Sequence, residues 1–223
     1  MGYESPMPVQ EEVIPFLLGD DNDVIALAQT GTGKTAAFGL PILQKIDVTT
    51  YHPQALVLCP TRELCLQIAD DLNDYSKYID NLKVLPVYGG SSIESQIKTL
   101  KRGVHVVVAT PGRLLDLMNR KTVDLSLVKN VIMDEADEML NMGFTDSINA
   151  ILAEVPENRN MLLFSATMPK EIANITKKYM KNPKEIVIGN KNEGNKNIRD
   201  IYYMVQARDK YLALKRIADF YPN

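Results

Sequence analysis

The residues with the clearest chemistry form the run from Ala28 to Thr35, AQTGTGKT. The run follows an apolar, β-prone segment at 24–27 and opens a stretch that suits a helix. Gly31 and Gly33 lack a Cβ atom, so the backbone can turn its N–H groups toward phosphate oxygens. The pattern predicts a phosphate-binding loop of a nucleotide site, made of Ala28, Gln29, Thr30, Gly31, Thr32, Gly33, Lys34 and Thr35.

Two side chains of this loop have specific expected roles. The Lys34 ammonium group would reach the β- and γ-phosphates of a nucleotide, and the Thr35 hydroxyl would ligate Mg²⁺. Ala28 occupies the position that the strict pattern gives to glycine. For this segment alone, a glycine-rich turn before a helix, with no ligand, remains the alternative interpretation.

A cluster of acidic residues, Asp134-Glu135-Ala136-Asp137, comes directly after the apolar segment 131–133. The end of a buried strand beside a phosphate-binding loop is where a second contact to Mg²⁺ is needed. We therefore expect Asp134 to hold the metal, directly or through water, and Glu135 to orient or deprotonate the attacking water. The alternative is a helix N-terminus that favours acidic residues because of the helix dipole.

Ser165-Ala166-Thr167 ends another apolar segment, 161–164. The two hydroxyl groups are expected to hydrogen-bond the Asp137 carboxylate and so connect this strand end to the nucleotide site. The alternative is that they cap a helix beginning at Pro169.

Gln10 lies at the start of a predicted helix, and its amide carries both a donor and an acceptor. This is the pair that the N6/N7 edge of adenine requires, so Gln10 is a candidate adenine reader. An exposed helix glutamine with no ligand is the alternative.

Three further segments follow predicted strands and offer groups that bind phosphodiester oxygens. Two combine a hydroxyl, a helix N-terminus and an arginine, and the third is a glycine pair that lets a backbone approach closely. The alternative is ordinary capping turns with solvent-facing arginines. We predict contact with a nucleic-acid backbone, independent of base sequence, by Pro60, Thr61, Arg62, Gly89, Gly90, Thr110, Pro111, Gly112 and Arg113.

The overall composition limits the classes of function. The formal net charge is −3, so a nucleic-acid site has to be local rather than a basic surface. Cys59 and Cys65, with histidines only at positions 52 and 105, fit neither a zinc site nor a disulfide framework and favour a reducing compartment. Because the sequence shows no membrane-length apolar run and no secretory signal pattern, we expect a soluble cytoplasmic protein with no membrane partner.

Short β-branched runs alternate with helical patterns through most of the chain. Several runs are continuously apolar, as strands buried on both faces are. The alternation predicts an α/β fold with a parallel sheet sandwiched by helices, and ligand sites at the carboxyl ends of the strands. The predicted strands are 23–28, 54–59, 83–88, 104–109, 130–134, 160–166 and 184–188.

The composition changes near the end of the chain. Residues 189–197 are polar and turn-prone, which predicts a linker after a first domain at 1–188. A strand-like run at 201–205 and a helical pattern at 210–220 follow. One strand and one helix are too little for a domain, so we expect 198–223 to be the start of a second domain.

Taken in order, these segments closely resemble the DEAD-box family of ATP-dependent RNA helicases, from Gly2 to about Pro183. The region from Gly2 to Gln10 resembles the adenine-reading Q motif, which implies that Tyr3 also contacts the nucleotide. The other segments resemble motif I (28–35), motif Ia (60–64), the glycine pair (89–90), motif Ib (110–113), motif II (134–137) and motif III (165–167).

The resemblance implies a RecA-like P-loop domain that binds ATP and Mg²⁺ and grips the backbone of single-stranded RNA or a short duplex. It also implies a second RecA-like domain of the same protein as partner, and ATP hydrolysis coupled to local RNA unwinding. Two rivals stay open, namely an ATP-gated RNA clamp that does not unwind and a DNA-directed motor of the same superfamily. The catalytic residues implied are Lys34, Asp134, Glu135, Asp137, Ser165 and Thr167.

Three departures from the family pattern modify these expectations. Met7 stands where the Q motif has Ser or Thr, which puts one hydrogen bond near the adenine in question. Cys65 replaces the usual Ala of motif Ia. Neither the adenine-stacking aromatic nor motifs IV to VI of the second domain are found between Met1 and Asn223, so the isolated chain is expected to be nearly inactive.

Overall fold

The fold is described from a computed structural model that covers residues 4–19, 23–188 and 201–221. The chain divides into two compact units, Met1–Asn192 and Glu193–Asn223. In the first unit, strands alternate with helices. The strands are β1 (Val24–Leu27), β2 (Ala55–Leu58), β3 (Val84–Val87), β4 (Val106–Ala109), β5 (Asn130–Met133), β6 (Asn160–Ser165) and β7 (Lys184–Val187). The helices are α1 (Pro8–Gly19), α2 (Lys34–Gln44), α3 (Arg62–Tyr75), α4 (Ile93–Lys101), α5 (Pro111–Asn119), α6 (Ala136–Asn141), α7 (Thr145–Glu154) and α8 (Lys170–Tyr179).

The seven strands form one sheet in the order β3-β4-β2-β5-β6-β1-β7, and every described pair is parallel. All seven strands predicted in the first unit are confirmed, with ends that differ by one or two residues. The continuous apolar runs proved diagnostic, since four-residue strands such as β1, β2 and β4 are buried on both faces.

Apolar side chains cover both faces of the sheet. Because successive strand residues point in opposite directions, Val24 and Ala26 join one buried cluster while Ile25 and Leu27 join the other. On the first of these faces, the rings of Phe38 and Phe164 pack with centroids 5.4 Å apart, which fixes α2 against β6. Burial of one such side chain stabilises the fold by about 1.5–3 kcal/mol.

The strand order decides which loops meet. Since all strands are parallel, their carboxyl ends lie along one edge of the sheet. At that edge β1, β6 and β5 are neighbours, so the loops at 28–33, 165–167 and 134–135 lie side by side. The ends of β2, β4 and β3 form a second group of neighbours, which brings the segments after them together.

The second unit contains a 3₁₀ turn at Ala207–Asp209 and the helix α9 (Lys210–Phe220), which confirms the helix predicted at 210–220. The predicted strand at 201–205 is wrong, because these residues adopt no regular structure. A strand requires a neighbouring backbone for its hydrogen bonds, and the rest of residues 201–221 is helix and turn. The predicted linker at 189–197 lies outside the described residues. Among the described helices, none has the length and apolar character needed to traverse a bilayer.

Candidate active site

The loop after β1 has the backbone geometry that its glycines predict. Gly31 and Gly33 have φ angles of 76° and 83°, in the left-handed region, and α2 begins directly after Gly33. The Thr32 hydroxyl donates to the Gln29 carbonyl oxygen at 2.8 Å, which closes the loop on itself. The N–H of Ala28 donates to the Ser165 carbonyl oxygen at 3.0 Å. The loop therefore starts from a fixed position beside the end of β6.

Lys34 of this loop lies next to the acidic segment after β5. Its Nζ atom is 3.7 Å from Asp134 Oδ1 and 3.4 Å from the Ala28 carbonyl oxygen. The side chains of Lys34 and Asp134 are only 7% and 4% exposed. Burial raises the pKa of the Asp134 carboxyl above its ordinary value, and the Lys34 charge opposes that shift. Two segments far apart in sequence thus meet as a buried ion pair.

Glu135, the next residue, has an unusual backbone. Its φ and ψ angles are both 50°, which is left-handed and strained for a residue with a Cβ atom, by roughly 1–2 kcal/mol. Strain of this kind collects at functional sites, where the surrounding structure holds it in place. Burial, followed by the neighbouring Asp134 charge, raises the pKa of Glu135. A carboxylate with a raised pKa is a stronger base for a water proton.

The expected link between the Asp137 carboxylate and the end of β6 is present. Asp137 Oδ2 accepts from the N–H of Thr167 at 3.0 Å and from its hydroxyl at 2.8 Å. The Ser165 hydroxyl lies near the same carboxylate but donates its proton to the Thr167 carbonyl oxygen at 2.7 Å. Burial tends to raise the pKa of Asp137, and hydrogen bonds from this segment outweigh it and lower the pKa. The capping alternative is not observed, since α8 begins after Pro169 without a side-chain cap.

Gln10 touches the phosphate-binding loop directly. Its Nε2 atom donates to the Gly33 carbonyl oxygen at 3.2 Å, and its Oε1 atom accepts from the N–H of Met7 at 2.9 Å. The side chain is 5% exposed, which excludes the alternative of an exposed glutamine. A Cβ atom at Gly33 would lie 2.5 Å from Gln10 Nε2 and 2.8 Å from Met7 Sδ. Glycine at position 33 is therefore required by this contact as well as by its φ angle.

The ends of β2 and β3 are joined by Arg62. Thr61 caps α3, since its hydroxyl accepts from the N–H of Leu64 at 3.2 Å. Arg62, the first residue of α3, stacks its guanidinium over the Tyr88 ring at 5.0 Å from the ring centroid. Its nearest nitrogen lies 3.5 Å from the position of a Cβ atom at Gly90, which has a φ angle of 80°. The glycine pair and motif Ia therefore share one surface.

Arg113 does not project into solvent as the capping alternative would have it. Its Nη1 and Nη2 atoms donate to the Ser91 carbonyl oxygen at 3.2 and 3.3 Å, and Nη1 also donates to Gln96 Oε1 at 3.0 Å. Thr110 precedes α5 without a side-chain cap, and its N–H donates to the Val87 carbonyl oxygen at 2.9 Å. The start of α5 is thereby fastened to the loop after β3.

Comparison with known proteins identifies this arrangement. A family model described as DEAD/DEAH box helicase matches residues 7–175. The chain belongs to this family.

Curated relatives of the DEAD/DEAH box helicase family match nearly the whole chain. It is 50% identical over 222 residues to the ATP-dependent RNA helicase DeaD of Mycobacterium tuberculosis, a match of 100% of this chain and 39% of that protein. It is 48% identical over 219 residues to the DEAD-box ATP-dependent RNA helicase CshA of Bacillus cereus, with 98% and 41% coverage. The chain therefore spans about two fifths of the length of these relatives.

Solved structures of the family confirm the RecA-like α/β fold. A DEAD box protein from the hyperthermophile Methanococcus jannaschii matches with a TM-score of 0.80 and 43% identity, over 97% of this chain and 58% of that one. A hypothetical ATP-dependent RNA helicase from Sulfolobus tokodaii matches with a TM-score of 0.77 and 44% identity, over 84% and 54%.

The helicase motifs thus gather at one edge of the sheet, in two groups. Motifs I, II and III meet through the pair Lys34–Asp134 and the contact of Thr167 with Asp137. Motifs Ia and Ib and the glycine pair meet through Arg62 and Arg113. Tyr3 of the Q motif lies outside the described residues.

Sequence reasoning missed Gln96. This residue is 6% exposed and connects motif Ib to the loop after β3. A signal existed, since Gln96 lies on the same face of α4 as Ile93, Ile97 and Leu100, which pack against the core. A buried polar side chain on an apolar helix face requires hydrogen-bond partners.

Proposed function

We propose that this chain is the ATP-binding domain of an ATP-dependent RNA helicase, which hydrolyses ATP and unwinds short RNA duplexes together with a second RecA-like domain. The observation that carries the proposal is the buried pair of Lys34 and Asp134 beside a loop whose glycines have left-handed φ angles. This combination suits a nucleotide phosphate with its cation.

The nucleotide phosphates fit the loop at 28–35. The backbone N–H groups of the loop and the N-terminus of α2 point partial positive charge at the phosphates, and Lys34 would transfer its interaction from Asp134 to them. Gln10 would read the adenine edge while it stays within reach of the loop. Nucleotide binding would then replace the Lys34–Asp134 pair with contacts of Lys34 to phosphate and of Asp134 to Mg²⁺, so that neither buried charge is left unpaired.

The residues around Lys34 also fit Mg²⁺. Asp134 supplies a buried carboxylate and Thr35 a hydroxyl, and Mg²⁺ typically takes one or two protein ligands with waters and phosphate oxygens as the rest. Among the described residues, no cluster of three or more His, Cys, Asp or Glu could hold a metal alone. When bound, Mg²⁺ would neutralise charge on the phosphates. Glu135 would accept the proton of the attacking water, and Asp137 with Thr167 would hold motif II and motif III together.

The RNA would lie across the ends of β2, β4 and β3. We expect contacts to phosphate and sugar, which would give binding without base specificity, from Pro60, Thr61, Arg62, Gly89, Gly90, Thr110, Pro111, Gly112 and Arg113. The free thiols of Cys59 and Cys65 fit a cytoplasmic location, since reduced cysteines persist there.

ATPase and RNA-binding measurements test the proposal. The isolated chain is expected to bind nucleotide but to hydrolyse it very slowly, because cationic fingers from a partner domain contribute about 10³–10⁵ in rate. The full-length protein should hydrolyse ATP in response to RNA. RNA-stimulated hydrolysis by the isolated chain at the full-length rate would contradict the two-domain site. Stimulation by DNA instead of RNA would support a DNA motor, and ATP-dependent RNA retention without strand separation would support a clamp.

A further inference from the structure

Gln96 connects two of the predicted RNA-binding segments although it belongs to neither. Its Nε2 atom donates to the Tyr88 carbonyl oxygen at 3.1 Å and to Ser91 Oγ at 2.7 Å. Its Oε1 atom accepts from Arg113 Nη1 at 3.0 Å. Both amide protons and the oxygen are therefore engaged, so each polar atom of this side chain, which is 6% exposed, has a partner.

The same network holds both ends of the loop after β3. Arg113 donates twice to the Ser91 carbonyl oxygen, at 3.2 and 3.3 Å. The Ser91 hydroxyl donates to the Tyr88 carbonyl oxygen at 3.3 Å. As a result, the carbonyl groups of Tyr88 and Ser91 both face inward, toward Gln96 and Arg113.

Inward carbonyls fix the direction of the N–H groups that follow them. A trans peptide is planar and places its N–H opposite its C=O, so the N–H groups of Gly89 and Ser92 point away from the network. Both residues are exposed, and within the described part of the chain neither N–H donates a hydrogen bond. Gly90, with a φ of 80°, lies between them. Backbone N–H groups presented in this way on a turn form a small anion-binding concavity.

We infer that Gln96 is a positioning residue for RNA, which holds the loop 88–92 so that the N–H groups of Gly89 and Ser92 bind one phosphate of the RNA backbone. The inference rests on the proposed RNA-binding function and adds to it a residue that does not touch RNA. If Gln96 served only to pack α4, its loss would change the stability of the fold without changing how the loop meets RNA.

The test combines NMR with binding measurements on the 223-residue chain and a single-stranded oligouridylate. Amide ¹H–¹⁵N spectra report the N–H groups of Gly89 and Ser92 during the titration, and fluorescence anisotropy at several salt concentrations gives the affinity and its salt dependence. The variants are Gln96→Leu, Gln96→Glu, which keeps size and the acceptor for Arg113, and the control Gln67→Leu at an exposed position of α3. Thermal unfolding and ADP binding show whether each variant is folded.

The expected result is a downfield shift of the Gly89 and Ser92 amide protons with RNA. Both Gln96 variants should lose these shifts and bind RNA roughly tenfold more weakly, which corresponds to one ordinary hydrogen bond. The salt dependence of Gln96→Leu should equal that of the unmodified chain, since no charge is changed, whereas Arg62→Gln should lower the slope by about one. ADP binding by the Gln96 variants should be unaffected, and the Gln67→Leu variant should bind RNA like the unmodified chain.

Two outcomes overturn the inference while leaving the proposed function intact. One is RNA binding by folded Gln96→Glu at the affinity of the unmodified chain, and the other is RNA binding without any shift of the Gly89 and Ser92 amides. A full-length protein that binds ADP but no RNA at any salt concentration overturns the RNA assignment itself.

Discussion

The Lys34 ammonium group lies 3.7 Å from the Asp134 carboxylate, and both side chains are almost completely buried. Each is thus the partner of the other before a ligand arrives. A buried charge whose partner is removed is strongly destabilising unless it changes its protonation state. Loss of either partner would therefore destabilise the nucleotide-free fold, and the pair keeps both groups in place for phosphate and metal.

Replacement of Lys34 by alanine should abolish nucleotide binding, because the β- and γ-phosphates lose their main fixed cation. The unfolding free energy should also fall, by about 1–3 kcal/mol, since Asp134 is left without its cation and takes up a proton. Calorimetric titration with ADP and chemical denaturation measure the two effects. Lys45→Ala, an exposed lysine just after α2, should keep normal ADP binding. Normal ADP affinity in Lys34→Ala would contradict the assigned role.

The Glu135→Gln variant of the full-length protein should bind ATP normally but hydrolyse it at least about a hundredfold more slowly, since the amide cannot accept the water proton. ATP-bound protein should then release RNA slowly, because the clamped state persists. Single-turnover ATPase assays and RNA dissociation rates measure this. Glu138→Gln, an exposed neighbour on α6, is the matched control. Hydrolysis at the normal rate in Glu135→Gln would show that another group positions the water.

Gln10 should make the chain prefer ATP and ADP over GTP and GDP. Guanine keeps the N7 acceptor but has the O6 acceptor in place of the N6 donor at the edge that Gln10 reads, so the preference should be roughly tenfold, or about 1.4 kcal/mol. Gln10→Ala should remove the preference, and Gln67→Ala should keep it. Competition between labelled ADP and unlabelled GDP gives the ratio. Equal affinities of the unmodified chain for ADP and GDP would contradict the assignment of Gln10 as the adenine reader.

Thr167→Val should raise the pKa of Asp137, because the carboxylate loses its hydrogen bond from Oγ1 and keeps the one from the backbone. Since the folded pKa of Asp137 is lowered, its contribution to stability is present at neutral pH and is lost as the pH falls through that pKa. The variant should therefore be less stable at pH 7 by about 0.5–1 kcal/mol, and the difference should shrink as the pH falls through the pKa of Asp137. Carboxyl ¹³C NMR follows Asp137, with Thr176→Val as control.

Stability should fall as the pH drops from 7 toward 5, and His105 should be one cause. Its Nδ1 atom accepts from the N–H of Lys83 at 3.0 Å, and its Nε2 atom lies 3.2 Å from the Val48 carbonyl oxygen, a pattern that only the neutral ring satisfies. Burial lowers the pKa of His105, so the unfolded chain takes up a proton first, near pH 6.5.

Melting temperatures between pH 7.5 and 5 measure this dependence. The slope of the unfolding free energy against pH should be smaller in His105→Gln, by up to about 1.4 kcal/mol per pH unit. An equal slope in His105→Gln and the unmodified chain would assign the effect to other groups.

The sequence predicted the sheet well because the signals for its strands are local. Continuous apolar runs such as 55–58 and 106–109 are typical of strands buried on both faces, and each was found as such a strand. The run at 201–205 has similar residue types but forms no strand, because pairing depends on a neighbour that residue types do not encode.

Motif residues were predicted as candidates, yet their partners were not. The position of Lys34 beside Asp134 follows from the strand order, in which β6 lies between β5 and β1, and no short-range pattern contains that order. Gln96 was overlooked because a single glutamine in a helix is common, and its role depends on three contacts that only the fold brings together.

The strand order also determines when each strand can pair with its neighbours during synthesis. β1 precedes the other six strands of the sheet in the sequence, but its hydrogen-bonded neighbours are β6 and β7, the last two strands of the sheet. Contacts between such distant segments form slowly and late, since the chain between them must be ordered first. The loop after β1 is therefore made before the strands that pair with β1, and it is among the last segments to be built into the sheet. A nascent chain shorter than Ser165 should be unable to hold ATP.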